Sequence, residues 1–410
     1  MSDNWKEQLD SLLDEIAPRM IALRRHLHAH PDPSGREQPT TRHLVDLLRC
    51  EDVTIQPAPD GCGLVADCQS TDLPAGSVRV AVRADIDALR IQDEKQVAYR
   101  STHDGIMHAC GHDAHTAIAY GVTLALSAMQ ASDAFPWPVY WRTVFQPAEE
   151  TATGARQMIT HGAMADVARV FALHVDPTRR TGQVGLRAGA MTASCDALEL
   201  LIHGQGGHAA RPHESKDPIA AAAQLISTLY QFIPRTSDSH DAVVLTMGCI
   251  RGGQNPNVIP DLVTLQGTLR TLDTTVRNRT IAHITQVARG MAEITGTTID
   301  TNFSASIPSV RNDAELTRLV WHSAEEVVGS DNVQLITRPS MGSEDFACYL
   351  EHCPGVMFRL GAAHDLAAPT PLHTPRFDVD ERALVIGARI LARAAITASP
   401  FRPDTDRVAY

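Results

Sequence analysis

"DALELLIHG" (196–204) opens a run that continues as "DPIAAAAQLISTLYQFI" (217–233), "AVVLTMGCI" (242–250), "LVTLQGTLRTL" (262–272), "TVRNRTIAHITQVARGMAEITG" (275–296) and "TTIDTNF" (297–303). Its apolar residues recur at strand spacing in the first, third, fourth and sixth of these segments. In the second and fifth they recur at helix spacing. The predicted order, β-α-β-β-α-β, is a ferredoxin-like unit complete in itself. Residues 190–305 therefore read as a domain inserted into another, whose two segments are 1–189 and 306–410. A chain of 410 residues exceeds the size at which one core stops growing, so two domains are expected on length alone.

The flanking segments alternate strand-like and helix-like runs, the pattern of an α/β domain with a central, mostly parallel sheet. "SVRVAVRADIDAL" (77–89) alternates Val78, Val80 and Val82 and then turns acidic. "PVYWRTVFQPAEE" (138–150) is β-branched and aromatic until it meets Pro147 and two glutamates. "ARVFALHVDP" (168–177) reads as a short apolar strand ending in His174, and "GVMFRLGAA" (355–363) as a strand before the loop "HDLAAPTPLHTP" (364–375). From Asp380, "DERALVIGARILARAAI" reads as a helix with an acidic first turn.

Composition narrows the function classes. The chain is 43% hydrophobic and 20% charged, ordinary for a globular protein and without repeats or low-complexity tracts. A formal net charge of −12 argues against a nucleic-acid partner, which needs clustered Lys and Arg, and leaves small molecules as the expected ligands. No run approaches the roughly 20 apolar residues of a membrane span. The start has Leu9, Leu12, Leu13, Ile16 and Met20 near helical spacing, a surface helix rather than a signal peptide. Eight scattered cysteines without a C-x-x-C pair fit a reducing cytoplasm.

The chemistry concentrates in "MHACGHDAH" (107–115), just before the helical run "AHTAIAYGVTLALSAMQ". Cys110 and His112, two apart on a loop, can chelate one cation. A structural zinc needs a closed set rich in cysteine, and no second cluster of that kind exists here. The other candidates are Asp85 and Asp87, Glu149 and Glu150, His174 and His373, each at or just beyond the end of a predicted strand, where open α/β sheets bind ligands. Such a set fits an open catalytic site of one ion, or of two about 3.5 to 4 Å apart. Adjacent glutamates repel unless a cation or proton sits between them. One can coordinate while its neighbour takes a proton from water, the division of labour of metal-assisted hydrolysis. Plainer readings stand beside these. Glu149 and Glu150 could open a solvated helix, His174 could be a satisfied core histidine, and Asp85 and Asp87 could form a turn. His108 and His115 read as supporting residues.

Taken together, "RADIDAL", "HACGHDAHTA", "QPAEE", "ALHV", "GHAARPH", "NVIPD", "GSEDF" and "PLHTP" resemble, in order, the metal-dependent amidohydrolases of N-acyl amino acids. That family includes hippurate hydrolases, aminoacylases, N-acetyl-diaminopimelate deacetylases and auxin-conjugate hydrolases, and is related to the co-catalytic zinc carboxypeptidases. The resemblance implies a zinc-peptidase-like catalytic domain and an inserted lid and dimerisation domain. It implies two divalent ions per subunit, Zn²⁺ or Mn²⁺ with Co²⁺ or Ni²⁺ as alternatives, held by Cys110, His112, Glu150, His174 and His373. Glu149 would be the general base, activating water against an amide carbonyl to release a carboxylic acid and an amino acid.

Further roles follow from the same likeness. Asp87 resembles the carboxylate that orients a ligating imidazole. Asp85 stands where the wider superfamily has a histidine ligand, which leaves its contact with metal open. His208 resembles a histidine that steadies the scissile carbonyl, often from a second subunit, although a polar turn residue is the plainer reading. Asn257 and Arg270 resemble residues that bind the substrate carboxylate or oxyanion, with an ordinary strand arginine as the alternative for Arg270. Glu344 resembles a supporting residue near the substrate, although a helix start would equally explain it. A homodimer through the inserted domain is expected on the same basis. The related alternative is a dipeptidase or carboxypeptidase on the same metals.

Overall fold

The computed structural model describes residues 4–68, 78–367 and 370–399. Ser77, at the head of the predicted strand 77–89, and residues 368–369 of the predicted loop 364–375 lie outside the described residues, as do the extreme ends of the two flanking segments. The chain divides into two compact units. One comprises Met1–Gly189, Arg311–Thr337 and Cys348–Tyr410; the other comprises Ala190–Val310 and Arg338–Ala347.

In chain order, the part before the insertion contains helices α1 (Asn4–Ala29), α2 (Gln38–Leu48), α3 (His112–Ala131) and α4 (Gly154–Thr160). Its strands are β1 (Val53–Pro57), β2 (Leu64–Cys68), β3 (Arg79–Asp85), β4 (Tyr140–Gln146), β5 (Val167–Arg180), β6 (Val184–Leu186) and β7 (Gly189–Ala190). The middle contains β8 (Ser194–His203), β9 (Gly207–His208), α5 (Pro218–Thr236), β10 (Val243–Gly252), β11 (Val258–Ile259), β12 (Leu262–Thr271), α6 (Thr274–Thr295) and β13 (Thr298–Ile307). The closing part adds β14 (Arg311–Asn312), α7 (Ala314–Val328), β15 (Val333–Leu335), β16 (Gly355–Ala363) and α8 (Arg382–Ala398).

The first unit is built on an eight-stranded sheet of order β1-β2-β4-β3-β5-β16-β6-β15. Its centre, β4-β3-β5-β16, is parallel. Antiparallel β1 and β2 extend one side. The parallel strands are buried because both faces are covered: β3 is buried at all seven positions, its Arg79, Arg83 and Asp85 included. Helices α1, α3 and α8 pack on one another, and α3 and α8 pack on this sheet. The middle helix of the three, α3, is apolar on nearly every side and buried over most of its length, as a helix enclosed by other elements must be.

Strand β5 is longer than the predicted run. It continues past His174 to Arg180, because Val175 and Asp176 go on pairing with Leu360 and Gly361 of β16. Pro177 is tolerated where the register of that ladder shifts. His174 is thus inside a strand rather than at its end. Helix α8 begins at Arg382 without acids in its first turn. Asp380 precedes it and accepts the backbone N–H of Arg382 at 3.0 Å.

In the second unit an antiparallel sheet of order β10-β12-β8-β13 packs against α5 and α6. Leu198, Leu200, Ile202, Leu225, Leu229, Val263, Leu265 and Ile284 form its core. Asp217 and Asp273 start the two helices, each accepting two backbone N–H groups. The unit extends to Val310, beyond the predicted boundary at 305, because β13 pairs with β8 as far as Ile307. Segment 338–347 joins it through backbone bonds from Ser340 to Met191 and from Ala193 to Gly342, both 3.0 Å.

Candidate metal centre

Register explains how distant residues meet. In the parallel ladder Asp85 ends β3 opposite Gln146, the last residue of β4. The chain leaving β4 runs through Pro147 and Ala148 to Glu149 and Glu150. Arg83 lies opposite Ala172 of β5, and His174 follows two residues later on the same face, since strand side chains alternate. Cys110 and His112 flank Gly111 at the N-terminus of α3, and His373 comes from the loop after β16.

Two backbone features hold these loops. Gly111 has φ 90° and would place a Cβ 2.3 Å from Val175 Cγ2, so glycine is required there. Ala148 (φ 52°) and His373 (φ 61°) are non-glycine residues in the left-handed region, the kind of local strain that clusters at functional sites. Glu37 braces the first by accepting the Ala148 N–H at 2.8 Å. Ala109 braces the second by accepting the His373 N–H at 2.8 Å.

The five candidate ligands converge. Cys110 Sγ lies 3.4 Å from His174 Nε2 and 3.3 Å from His373 Nε2. Glu150 Oε1 lies 3.4 Å from His373 Nε2 and 3.9 Å from His112 Nε2, which is also 3.9 Å from Glu149 Oε2. Within the first unit, four overlapping groups have ligand atoms close enough to share an ion: Cys110, His112 and His174; Asp85, His112 and His115; Cys110, Glu150 and His373; and His112, Glu149 and Glu150.

The hydrogen bonds around the cluster aim lone pairs into it. His112 donates from Nδ1 to the Asp87 carbonyl at 2.9 Å and faces the Asp87 carboxylate at 3.2 Å. His174 donates from Nδ1 to the Val175 carbonyl at 2.7 Å. Nε2 of each ring is thereby left as an acceptor. Among the described residues, nothing hydrogen-bonds to the buried atoms His112 Nε2 and Glu150 Oε1. Sulfur, imidazole nitrogens and a carboxylate oxygen face one another at 3.3 to 3.9 Å, with at most one thiol proton for two imidazole acceptors. Orphaned buried acceptors are costly, and a cation satisfies all of them at once. The residues present fit a divalent metal.

Electrostatics agree. Burial pushes the Cys110 thiol well above its usual range, so it needs a metal to ionise. Burial disfavours the His112 cation too, but the Asp85 carboxylate and the Cys110 sulfur outweigh it and raise the group well above its ordinary value. The pocket asks for positive charge. His174 is driven the other way, by burial and by Arg359.

The supporting carboxylates take distinct places. Asp87 accepts the Ser34 hydroxyl at 2.6 Å and the Glu150 backbone N–H at 3.1 Å, joining the His112 loop to the Glu150 turn. Asp85 accepts His115 Nδ1–H at 2.7 Å and Arg83 at 2.8 Å, one on each oxygen, and its Oδ2 also lies 3.7 Å from His112 Nε2. His115 accepts the Val175 N–H on Nε2 at 2.9 Å, so both its nitrogens are committed. Sequence reasoning missed Ser34, Glu37 and Arg83, and also the buried partners of Asp113. Arg24 and His28 of α1 bond to Asp113 at 2.9 and 2.7 Å, anchoring the first turn of α3.

The remaining candidates belong to the second unit. His208 and Asn257 are neighbours there: β9 pairs with β11, and Asn257 accepts the Ala209 N–H at 3.1 Å. His208 is exposed, and its Nδ1 accepts the Ala210 N–H at 3.1 Å. Arg270 donates to the Met341 carbonyl at 3.0 Å. Glu344 is buried and accepts the Phe346 N–H at 3.1 Å, at the start of the 3₁₀ turn Asp345–Glu351.

A model of peptidase family M20/M25/M40 matches residues 81–397. The chain belongs to that family. A relative from Synechocystis, named "Probable hydrolase sll0100", is 41% identical over 390 residues, covering 95% of this chain and 98% of its own. The N-acetyl-L-cysteine deacetylase of Bacillus subtilis is 36% identical over 387 residues, 93% of this chain and 89% of its own. Among solved M20 structures, the Bacillus subtilis YXEP protein, described as a dinuclear metal binding peptidase, superposes with a TM-score of 0.80 at 32% identity, covering 95% of this chain and all of that one. This M20 chain is a hydrolytic enzyme dependent on divalent metal ions.

Proposed function

We propose that the protein hydrolyses the amide bond of N-acyl amino acids, giving a carboxylic acid and a free amino acid. The observation that carries this reading is the convergence of Cys110, His112, Glu150, His174 and His373 with Glu149 beside them. The deacetylase relatives at 36% identity favour a small acyl group over a peptide.

The five ligands would hold two ions, with Cys110 belonging to two of the overlapping groups. Zn²⁺ and Mn²⁺ suit the mixed donors best, with Co²⁺ and Ni²⁺ as alternatives. Bound there, the metals would supply Lewis-acid polarisation of the amide carbonyl and lower the pKa of water. Glu149 takes the proton from the attacking water and returns it to the departing amine. Asp87 holds His112 in the tautomer that presents Nε2. Of the second unit's residues, His208 is assigned to the scissile carbonyl and its oxyanion and Asn257 and Arg270 to the substrate carboxylate or oxyanion, and that unit is assigned the roles of lid and homodimer interface.

The test is a screen of metal-reconstituted protein on N-acetyl and N-benzoyl amino acids beside dipeptides, with metal-free protein as control. Metal-dependent release of amino acid from the N-acyl substrates is expected. Turnover of dipeptides alone would replace the assignment with a dipeptidase.

A further inference from the structure

The five candidate ligands are not equally supported. Cys110, His112 and His174 are buried, and His112 and His174 are each oriented by a bond from Nδ1. The His373 side chain is 52% exposed and its backbone is left-handed. The contacts of its ring run from Nε2, to Cys110 and Glu150. Its place therefore depends on the loop that carries it.

That loop is tied at three points. The His373 N–H bonds to the Ala109 carbonyl at 2.8 Å and the Glu94 N–H to the Pro375 carbonyl at 2.9 Å. Lys95 Nζ donates to the Phe377 carbonyl at 2.9 Å. The Phe377 N–H bonds back to the Thr374 carbonyl at 3.1 Å, closing a turn directly after His373. Of the three ties, Lys95 alone contributes a side chain.

We propose that Lys95 is a positioning residue of the metal centre: it fixes the His373 loop against the start of α3 and so completes the ion site that Cys110, Glu150 and His373 would share. The inference rests on the ligand assignment proposed above.

The Lys95 ammonium reaches both sides of the centre. It bonds to His28 Nε2 at 2.6 Å, and His28 Nδ1 bonds to Asp113 at 2.7 Å, in the first turn of α3 beside His112. Phe377 touches the same turn: a Cβ on Gly111, between Cys110 and His112, would lie 3.5 Å from its ring. A shift of Phe377 would thus disturb the turn behind His373 and the packing beneath Gly111 together. A compact cation with three donors suits this place, since a carbonyl, an imidazole and the Asp378 carboxylate, 3.7 Å away, surround one nitrogen. Lys95 is 7% exposed, so its effect passes through the loop and not through contact with substrate.

The neighbours keep other partners when the ammonium is removed. Asp93 accepts the backbone N–H groups of Lys95 and Ser101 at 2.9 and 3.0 Å, and Asp378 bonds to Arg24 and Tyr99. Lys95→Met, similar in length, is therefore expected to fold.

The test reads metal and not turnover. Metal-free parent, Lys95→Met and His373→Ala are titrated with Zn²⁺ by calorimetry, with elemental analysis after dialysis against graded chelator. His373→Ala marks the binding step that belongs to its ion. Lys95→Met should weaken that same step at least tenfold, leave the other step within twofold, and add nothing when combined with His373→Ala. Equal weakening of both steps would make Lys95 a general structural residue and overturn the proposal. Parent-like affinities in Lys95→Met, where His373→Ala loses an ion, would overturn it too. Unchanged binding in His373→Ala would instead remove the ligand assignment, and this inference with it. Should Lys95→Met not fold, Lys95→Arg keeps the charge that Asp93 and Asp378 face but not the single nitrogen shared by Phe377 and His28. The same selective loss is expected of it, and its absence counts equally against the proposal.

Discussion

At the scale of single residues, the site separates candidate ligands from the groups that brace them. Glu149→Gln is expected to retain metal while losing turnover by roughly 10²- to 10⁴-fold, the range of general-base losses; elemental analysis alongside a rate assay checks it. Activity within tenfold of the parent would remove Glu149 from that role. Cys110→Ser should instead lower metal content, because a hydroxyl stays protonated where a thiolate coordinates. Asp87→Ala strips His112, Ser34 and the Glu150 backbone of a shared partner. Losing such an outer partner should weaken metal binding by roughly 10- to 100-fold, read by competition with a chelator. Cys110, His112, Glu149 and Glu150 were legible because their residue types are crowded in short stretches. Ser34 and Glu37 were not. A serine in a proline-rich turn and a glutamate before a helix look ordinary, and they gain their roles from contacts 53 and 111 residues away.

At the scale of elements, the clamp of α1 on α3 is the feature least visible beforehand. Arg24 is buried and bonds to Asp113, Asp378 and Glu381. Its opposite charges hold Asp113 well below the ordinary carboxylate range despite burial. Removing one partner of such a set strands a buried charge, so Arg24→Ala should cost about 3 to 5 kcal/mol, measurable by denaturant unfolding. Combining it with Asp113→Asn should cost less than the sum of the two single changes, because the residues are in direct contact. An additive result would dissolve the clamp. Periodicity located α1 as amphipathic. It could not show that Arg24 and His28 turn to the buried side, since a helix pattern ranks residues by polarity and not by the partner waiting opposite. Strand β5 teaches the same lesson: Pro177 suggests an end, and the ladder with β16 carries the strand past it.

At the scale of the whole molecule, stability should fall on the acid side. His108 is held down to about 3 by burial and His26 to about 4, against about 6.5 when unfolded. Below about pH 6.5 the unfolded chain therefore takes up protons that the folded chain refuses, and stability is lost as pH drops toward 4 and below. Depressed carboxylates such as Asp113 and Asp378 contribute stability above their unfolded value of about 3.9 and lose it as pH falls through their lower folded values. Calorimetry of the metal-free protein should show a melting temperature that declines from pH 7 to pH 4. A flat profile would contradict this assignment. Added divalent metal should raise that temperature at neutral pH, since a ligand bound only by the folded state stabilises it.

Local pattern sufficed for the element order and ferredoxin-like topology of the middle segment and for the residue types able to bind metal, because backbone period and donor chemistry are properties of neighbouring residues. Only the tertiary structure decided which Nε2 atoms face Cys110, that both oxygens of Asp85 are occupied, and that segment 338–347 pairs with the second unit. Those outcomes depend on sheet register and on which buried polar groups find partners, and both are settled between residues far apart in the chain.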